Sequence, residues 1–361
     1  MPTKRIEYID ALRGFAMILV VYSHILFFGF SDSFGNDFSL GGNEFLSFNS
    51  LFILFRMPLF FFISGFILYR NDFEWNTQNI ASFITKKAKI QLIPTLFFLF
   101  IYTFITDASF IDSCCNSSKW GYWFTVAFFE YFIIYVLYRF ICNLIGKKNG
   151  IDWILIIGSL MLYFMVTPSC LRWLNIIDTT ACGIIGLENL NYFLFFAIGT
   201  VIKKHFDKVQ TLLDKSYVSA VGILLFFGIC IYVLHNGYFV NAIYTRLFLI
   251  ISGFLGMMIV FSFFRKYQSY FTADTVIGRS LQYIGRRTLD IYLLHYFFLP
   301  RNLDVIGHFF SNNPNQTLEL VISLILALIV IGICLVTSQV IRISPILAHW
   351  LFGAKAVNRV Q

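Results

Sequence analysis

Charge is what this chain has least of. Only 13% of its 361 residues are Asp, Glu, Lys or Arg, against ~25% in a soluble domain. Acids are the scarcer sign, 19 against 27 bases, for a net charge of +8. Cysteine is sparse too. The seven thiols fall at no metal-ligand spacing, which removes zinc-type chemistry from the reading. Cys114 with Cys115, and Cys170 with Cys182, fall where a disulfide can form outside the membrane, and the plainer reading is isolated small apolar residues. There is no low-complexity tract, no convincing repeat, and no polar stretch long enough for a separate soluble domain.

What fills the chain is apolar. Hydrophobic residues make up 58% of it, phenylalanine alone contributes 45, and the mean hydropathy is +0.75. These values predict an all-α, polytopic integral membrane protein. Apolar runs of about 18 to 22 residues place ten candidate spans near 10–30, 49–69, 91–108, 121–142, 151–168, 190–203, 217–235, 245–264, 283–300 and 318–341. The sixth is short, and polar residues interrupt the ninth. The first run is too long for a cleavable signal and carries Arg13 and His24, so it reads as a retained span. The expected organisation is a ten-helix transmembrane domain over 1–342. Residues 343–361 follow as a cytoplasmic segment in which ISPILAHWLFGAKAV resembles an interfacial helix.

Basic residues test that count. With both termini cytoplasmic, 21 of the 27 Lys and Arg fall in inside segments, and Lys119, Arg172, Arg246 and Arg301 outside. Arg13 and Arg56 lie within spans. That asymmetry is the positive-inside pattern. Topology and contact with the lipid bilayer therefore account for the net charge, with no nucleic-acid partner needed.

The ionisable residues at membrane depth carry the functional signal, because each Arg, Asp or Lys there costs roughly 2.5–3.5 kcal/mol on insertion scales. Arg13 and His24 lie eleven residues apart in LRGFAMILVVYSH. Eleven steps of 100° make about three turns, so both share one helix face, separated by roughly 16 Å along the axis. Asp10 stands three residues before Arg13 and can pair with it. Arg56 matches the depth of His24 and can approach it from the next span. Glu130 lies near mid-membrane in span four. His295 lies in the outer half of span nine, with Asp290 five residues deeper and Arg286 within helix-pair reach of it. Lys86, Lys87 and Lys89 precede span three, and Arg286 and Arg287 precede span nine. Clustered cations at a helix mouth suit a phosphate-bearing ligand, although topology alone also places Lys and Arg there. A structural hydrogen bond is the plain alternative for His24 and for His295, and an interhelical salt bridge for Glu130 and Arg56.

At these residues the chain resembles the membrane-bound acyltransferase family 3. The likeness rests on Arg13 and His24 within IDALRGFAMILVVYSH, on RMPLFFFISGFI, KKAKIQLIP, WFTVAFFEYF, FLFFAIGTVIKK and TLDIYLLH, all in order along the chain. It is nearest to the branch of fucose and other sugar O-acetylases. The resemblance implies an enzyme of the bacterial inner membrane. Such an enzyme takes an acyl group, usually acetyl, from cytoplasmic acetyl-CoA and passes it to a sugar hydroxyl of an envelope glycan. His24 matches the catalytic histidine and Arg13 its paired arginine. Lys86 and Lys89 stand where many members carry arginines, which loses the bidentate fork. Glu130 falls near a conserved-type acid, but Thr125 and Phe129 replace its companions.

The expected mechanism has the donor's anionic nucleotide at the basic inner mouth, held by Arg13, Lys86, Lys87 and Lys89. His24 acts as general base on the acceptor hydroxyl, or as a transient acyl carrier. Arg56, or a hydroxyl such as Ser23 or Ser64, steadies the oxyanion, with Glu130 and His295 as auxiliary groups. The rival expectation is a transporter or flippase, which also buries ionisable residues at the midplane. A repeat would favour it, and none is visible.

Overall fold

The computed structural model describes residues 6–30, 47–70, 73–147, 149–175, 180–236 and 242–354. Lys4, Arg5, Lys148, Lys355 and Arg359, most of the 31–48 loop and part of 169–189 lie outside these. Among the described residues the chain is helical. In order the helices are α1 Glu7–His24, α2 Asn49–Leu68, α3 Thr77–Ile105, α4 Phe110–Cys115, α5 Trp123–Leu144, α6 Asp152–Met165, α7 Pro168–Trp173, α8 Thr180–Ile185 and α9 Phe193–Lys204. They continue as α10 Phe206–Leu213, α11 Ser216–Asn236, α12 Ala242–Lys266, α13 Val276–Arg286, α14 Thr288–Phe298, α15 Asp304–Asn312, α16 Gln316–Ile341 and α17 Pro345–Phe352.

Seven of these segments are long and apolar enough to cross a membrane: 7–29, 49–68, 77–105, 123–144, 216–233, 243–266 and 316–341. Three further expected spans are helices of 14, 12 and 11 residues, α6, α9 and α14. At 1.5 Å per residue these reach only about 16 to 21 Å. Each shortening has a local cause. α6 stops before Thr167, whose side chain caps α7 with Pro168 at its first turn. The residues before α9 form a tighter turn, Leu187–Tyr192. The ninth expected span breaks at Arg287, dividing α13 from α14. The chain is thus a multi-pass membrane protein, all-helical and with seven full-length candidate spans among the described residues.

The fold divides into two compact units, one of residues 1–63 and 206–337 and the other of 64–205 and 338–361. In the first, α1 packs most intimately on α13, and two glycines explain how. A Cβ on Gly14 would lie 2.0 Å from the Leu281 carbonyl oxygen, and one on Gly285 would lie 1.8 Å from that of Asp10. The two backbones touch, as small residues allow between membrane helices. Leu19, Leu51, Leu54, Phe55, Phe226 and Phe248 build an apolar core beside this crossing.

Gly14→Val or Gly285→Val should therefore force the helices apart, at a cost of about 3 kcal/mol or more. The measurement is the yield and melting temperature of detergent-purified protein. A variant as stable as the parent would contradict the crossing.

The second unit is built on aromatic rings. Phe128, Tyr131, Phe132 and Tyr135, on successive turns of α5, all meet Phe196 of α9, with centroids 5.9–6.3 Å apart. On the other side of α9, a Cβ on Gly65 would lie 2.0 Å from the Phe196 carbonyl oxygen, so α2 also approaches at backbone contact. The expected C-terminal helix is present as α17. Phe352 stacks on Phe98 of α3 at 6.1 Å, and the Arg342 guanidinium lies 4.8 Å from the Phe352 ring. No disulfide joins any of the seven cysteines in the described residues.

Candidate functional site

The Arg13–His24 face belongs to the first unit, and α13–α14 supply its partners. At the lower end, Arg13 Nη2 donates to Thr288 Oγ1 at 2.8 Å, and Nη1 lies 3.9 Å from Asp10 Oδ1. The helix break before Thr288 brings that hydroxyl to the guanidinium. The Arg13 side chain keeps 33% of its exposure, so it remains accessible to an anion. Asp290 pairs with Arg287 at 3.4 Å, not with Arg286 as the four-residue spacing suggests. The reason is the break: Arg286 ends α13 and turns its Nε to the Gln282 carbonyl at 3.1 Å, whereas Arg287 caps the helix that carries Asp290.

At the upper end, His24 Nδ1 and His295 Nε2 are 2.8 Å apart. The proton positions follow from what lies behind. His295 Nδ1 faces the Tyr292 carbonyl at 2.8 Å and the Ile291 carbonyl at 3.1 Å. Carbonyl oxygens only accept, so Nδ1 of His295 carries the hydrogen, and its Nε2 is the lone-pair acceptor of the neutral ring. His24 must then donate through Nδ1–H. That leaves the lone pair of His24 on Nε2, the position from which a ring acts as base or nucleophile. His295 is 0% exposed, while His24 keeps partial exposure. One imidazole is fully buried and the other belongs to a residue that is only partly buried.

The surroundings fix the His24 ring further. It meets Phe28 at 5.7 Å and Tyr296 at 5.3 Å. Just past His24, α1 continues as a wider turn over Ile25–Gly29, where Phe30 N–H donates to the Ile25 carbonyl at 3.3 Å. Single π-type turns of this kind often sit at functional sites. Arg56 of α2 belongs to the same unit as His24.

The opposite face of α1 is pinned by a cluster that sequence reasoning missed. Glu319 is 1% exposed and accepts from Ser47 Oγ at 2.8 Å, Ser323 Oγ at 2.9 Å and Tyr22 Oη at 3.1 Å. Tyr22 stands two residues, about 200°, from His24. Glu319 therefore clamps the helix from behind and fixes the direction in which His24 points. Thr288 was missed as well. Ser64 belongs to the second unit, and Ser23 is 4% exposed in α1.

The second unit holds the remaining candidates. Lys86 and Lys89, three apart on α3, are both exposed and lie on one face of the helix. Lys87 projects about 100° away and lies over aromatic rings, 4.3 Å from Phe132 and 5.6 Å from Phe83. Arg139 of α5, buried at 4% exposure, lies 5.2 Å from the Trp75 ring. Two ammonium groups of the expected trio thus face outward and one packs inward.

Glu130 makes no ion pair among the described residues, contrary to the salt-bridge expectation, and its Oε2 is buried without a hydrogen-bond partner. Its neighbour in charge is Lys119. Burial pushes the Lys119 ammonium below its ordinary value, and the Glu130 carboxylate opposes that shift. Among the described residues no cluster of His, Cys, Asp or Glu has the makings of a metal site.

Comparison with known proteins adds one finding. The family model described as an acyltransferase domain, that of acyltransferase family 3, matches residues 6–338. Among curated proteins and solved structures, nothing matches the chain.

Proposed function

The chain belongs to this acyltransferase family, and from that premise we propose that it transfers an acetyl or other short acyl group from acyl-CoA to a hydroxyl of a cell-envelope carbohydrate. The branch it fits best is the fucose O-acetylase-like one. The observation that carries this reading is the His24–His295 hydrogen bond at 2.8 Å, which leaves the His24 imidazole with its lone pair on Nε2.

In the reaction, His24 Nε2 accepts the proton of the acceptor hydroxyl as its oxygen attacks the thioester carbonyl. The new C–O bond forms, the C–S bond breaks, and the proton on Nε2 passes to the departing thiolate. His295 accepts the Nδ1–H hydrogen bond throughout and holds the ring in the productive tautomer. Arg56, in the same unit as His24, steadies the oxyanion that forms on the carbonyl. Arg13, held by Thr288 and Asp10, binds a phosphate of the donor. In the second unit, the exposed Lys86 and Lys89 are assigned to donor phosphate as well, whereas Lys87 packs on Phe132.

The positive-inside pattern supports ten crossings of a bacterial inner membrane with both termini cytoplasmic, the three short helices completing their crossings through adjoining turns. Glycan is the acceptor class because envelope carbohydrate offers hydroxyls on the far side of that membrane.

The direct test supplies purified protein with radiolabelled acetyl-CoA and base-deacetylated polysaccharide from the source cell. Label in the polysaccharide is the expected result. Intact acetyl-CoA, together with solute uptake by reconstituted vesicles, would favour a transporter and overturn the assignment. Lys86→Ala with Lys89→Ala should raise the half-saturating acetyl-CoA concentration about tenfold, since two charge-assisted phosphate contacts are lost. Lys87→Ala should change it less than threefold, because its ammonium lies against rings. Equal effects for Lys87 and the pair would contradict the division between them.

A further inference from the structure

A cleft of about 440 Å³ with a mixed apolar and polar lining lies in the second unit, between the end of α3 and the start of α5. Its wall includes Ser109, Asp112, Asn116, Ser118 and the indole of Trp120. The mechanism above uses none of its side chains.

The backbone that presents Trp120 is held in a rare conformation. Lys119, Trp120 and Gly121 take φ of 46°, 52° and 95° in succession. For a bulky side chain the left-handed region is a genuine outlier, and it persists only where the surroundings determine it. They do so here. The Lys119 side chain runs inward, 5% exposed, and its Nζ donates to the Gly183 carbonyl at 2.7 Å and the Asn116 carbonyl at 3.2 Å. Gly183 itself sits so close to α4 that a Cβ would lie 1.6 Å from the Cys115 carbonyl oxygen. The outcome of this anchoring is a tryptophan that stays 46% exposed. Its indole Nε1 donates to Ser113 Oγ at 2.9 Å, which fixes the ring against the cleft.

The lining selects a ligand class. An exposed, fixed indole offers a flat apolar face, and Asp112, Asn116 and the serines offer acceptors and donors around it. A fully apolar ligand would leave those groups unpaired, at a penalty. An anion would meet the Asp112 carboxylate, while the nearest ammonium, that of Lys119, is already committed to carbonyls. A neutral polyol matches both surfaces: its ring C–H groups lie on the indole and its hydroxyls reach the rim. The cleft is also at the correct end of α3. From Lys86 to Ile105 the helix rises about 29 Å, close to the ~30 Å hydrocarbon thickness, so the donor-facing lysines and the cleft belong to opposite membrane faces.

We propose that the Trp120 cleft is the acceptor-glycan subsite, a preformed carbohydrate-binding surface on the membrane face opposite the acyl-CoA side. This rests on the carbohydrate acceptor assigned above. The test compares the parent with Trp120→Ala, Trp120→Phe and Asp112→Asn, using radiolabelled acetyl-CoA, with and without the deacetylated polysaccharide of the source cell. Trp120→Ala should raise the half-saturating polysaccharide concentration at least tenfold. Its acetyl-CoA hydrolysis without acceptor should stay within twofold of the parent, which also shows that the variant is folded. Trp120→Phe should stay within threefold, and Asp112→Asn should fall between. Parent-like acceptor dependence in both Trp120→Ala and Asp112→Asn would overturn the subsite and leave the enzyme assignment standing. A parent that consumes acetyl-CoA but never labels polysaccharide would overturn the carbohydrate reading and the subsite with it.

Discussion

His24→Ala should reduce acyl transfer by about 10³-fold or more while the protein still folds and inserts. General base catalysis contributes about 10²–10⁴, and His24 is the imidazole whose Nε2 is left with a lone pair. Alanine removes that base and also empties the space between Phe28 and Tyr296. The packing consequence should be small, because the α1–α13 contact depends on Gly14 and Gly285 a helical distance away. His24→Gln is the sharper companion, since it fills the space but cannot take up a proton near neutral pH. It should be as inactive as alanine. Melting temperature and elution volume in detergent provide the folding control. A variant retaining a tenth of the parent activity would remove His24 from the chemistry. The same preparations separate base from acyl carrier. Radiolabelled donor quenched in denaturant should leave no label on the parent protein if His24 acts as base, whereas a stable acyl-imidazole would mark it as nucleophile.

Much of this site is legible in the sequence because helix geometry is periodic. An eleven-residue interval puts Arg13 and His24 on one face, and three residues bring Asp10 to Arg13. Counting residues from span ends places His295 and Arg56 level with His24. What periodicity cannot give is the backbone's departure from it. The wide turn at Ile25–Gly29 follows directly on His24, yet ILFFG reads as ordinary apolar helix. The break at Arg287 is visible as polar residues within a span, but its consequences are not: Thr288 meets Arg13, and Asp290 changes partner. Lys87 shows the same limit on side chains, because adjacent lysines read alike and only packing reveals that one faces Phe132. Glu319 stood near a span end, where an acid is unremarkable, and its role depends on Ser47 and Tyr22 from distant segments. Trp120 was hidden most completely, since its importance comes from a left-handed φ held in place by a buried lysine.

His295→Leu should lower the turnover of transfer about 10²-fold with acyl-CoA half-saturation unchanged, and His295→Gln should recover most of that loss. His295 touches no reacting atom: it is fully buried, with Nδ1 committed to backbone carbonyls of its own helix and Nε2 turned to His24. It is a positioning residue, and what it positions is a tautomer. Without an acceptor beside Nδ1, the His24 ring is free to move its hydrogen to Nε2 or to rotate, and either change removes the basic lone pair from the acceptor hydroxyl. Glutamine restores a carbonyl oxygen that accepts from Nδ1–H, whereas leucine fills volume and accepts nothing. A purely structural histidine predicts a different pattern. Leucine, the better membrane packer, would then match or exceed glutamine in melting temperature and activity together. Recovery by glutamine of turnover, with stability equal in the two variants, is the signature of an oriented imidazole, and parent-like turnover in His295→Leu would break the link between the two rings.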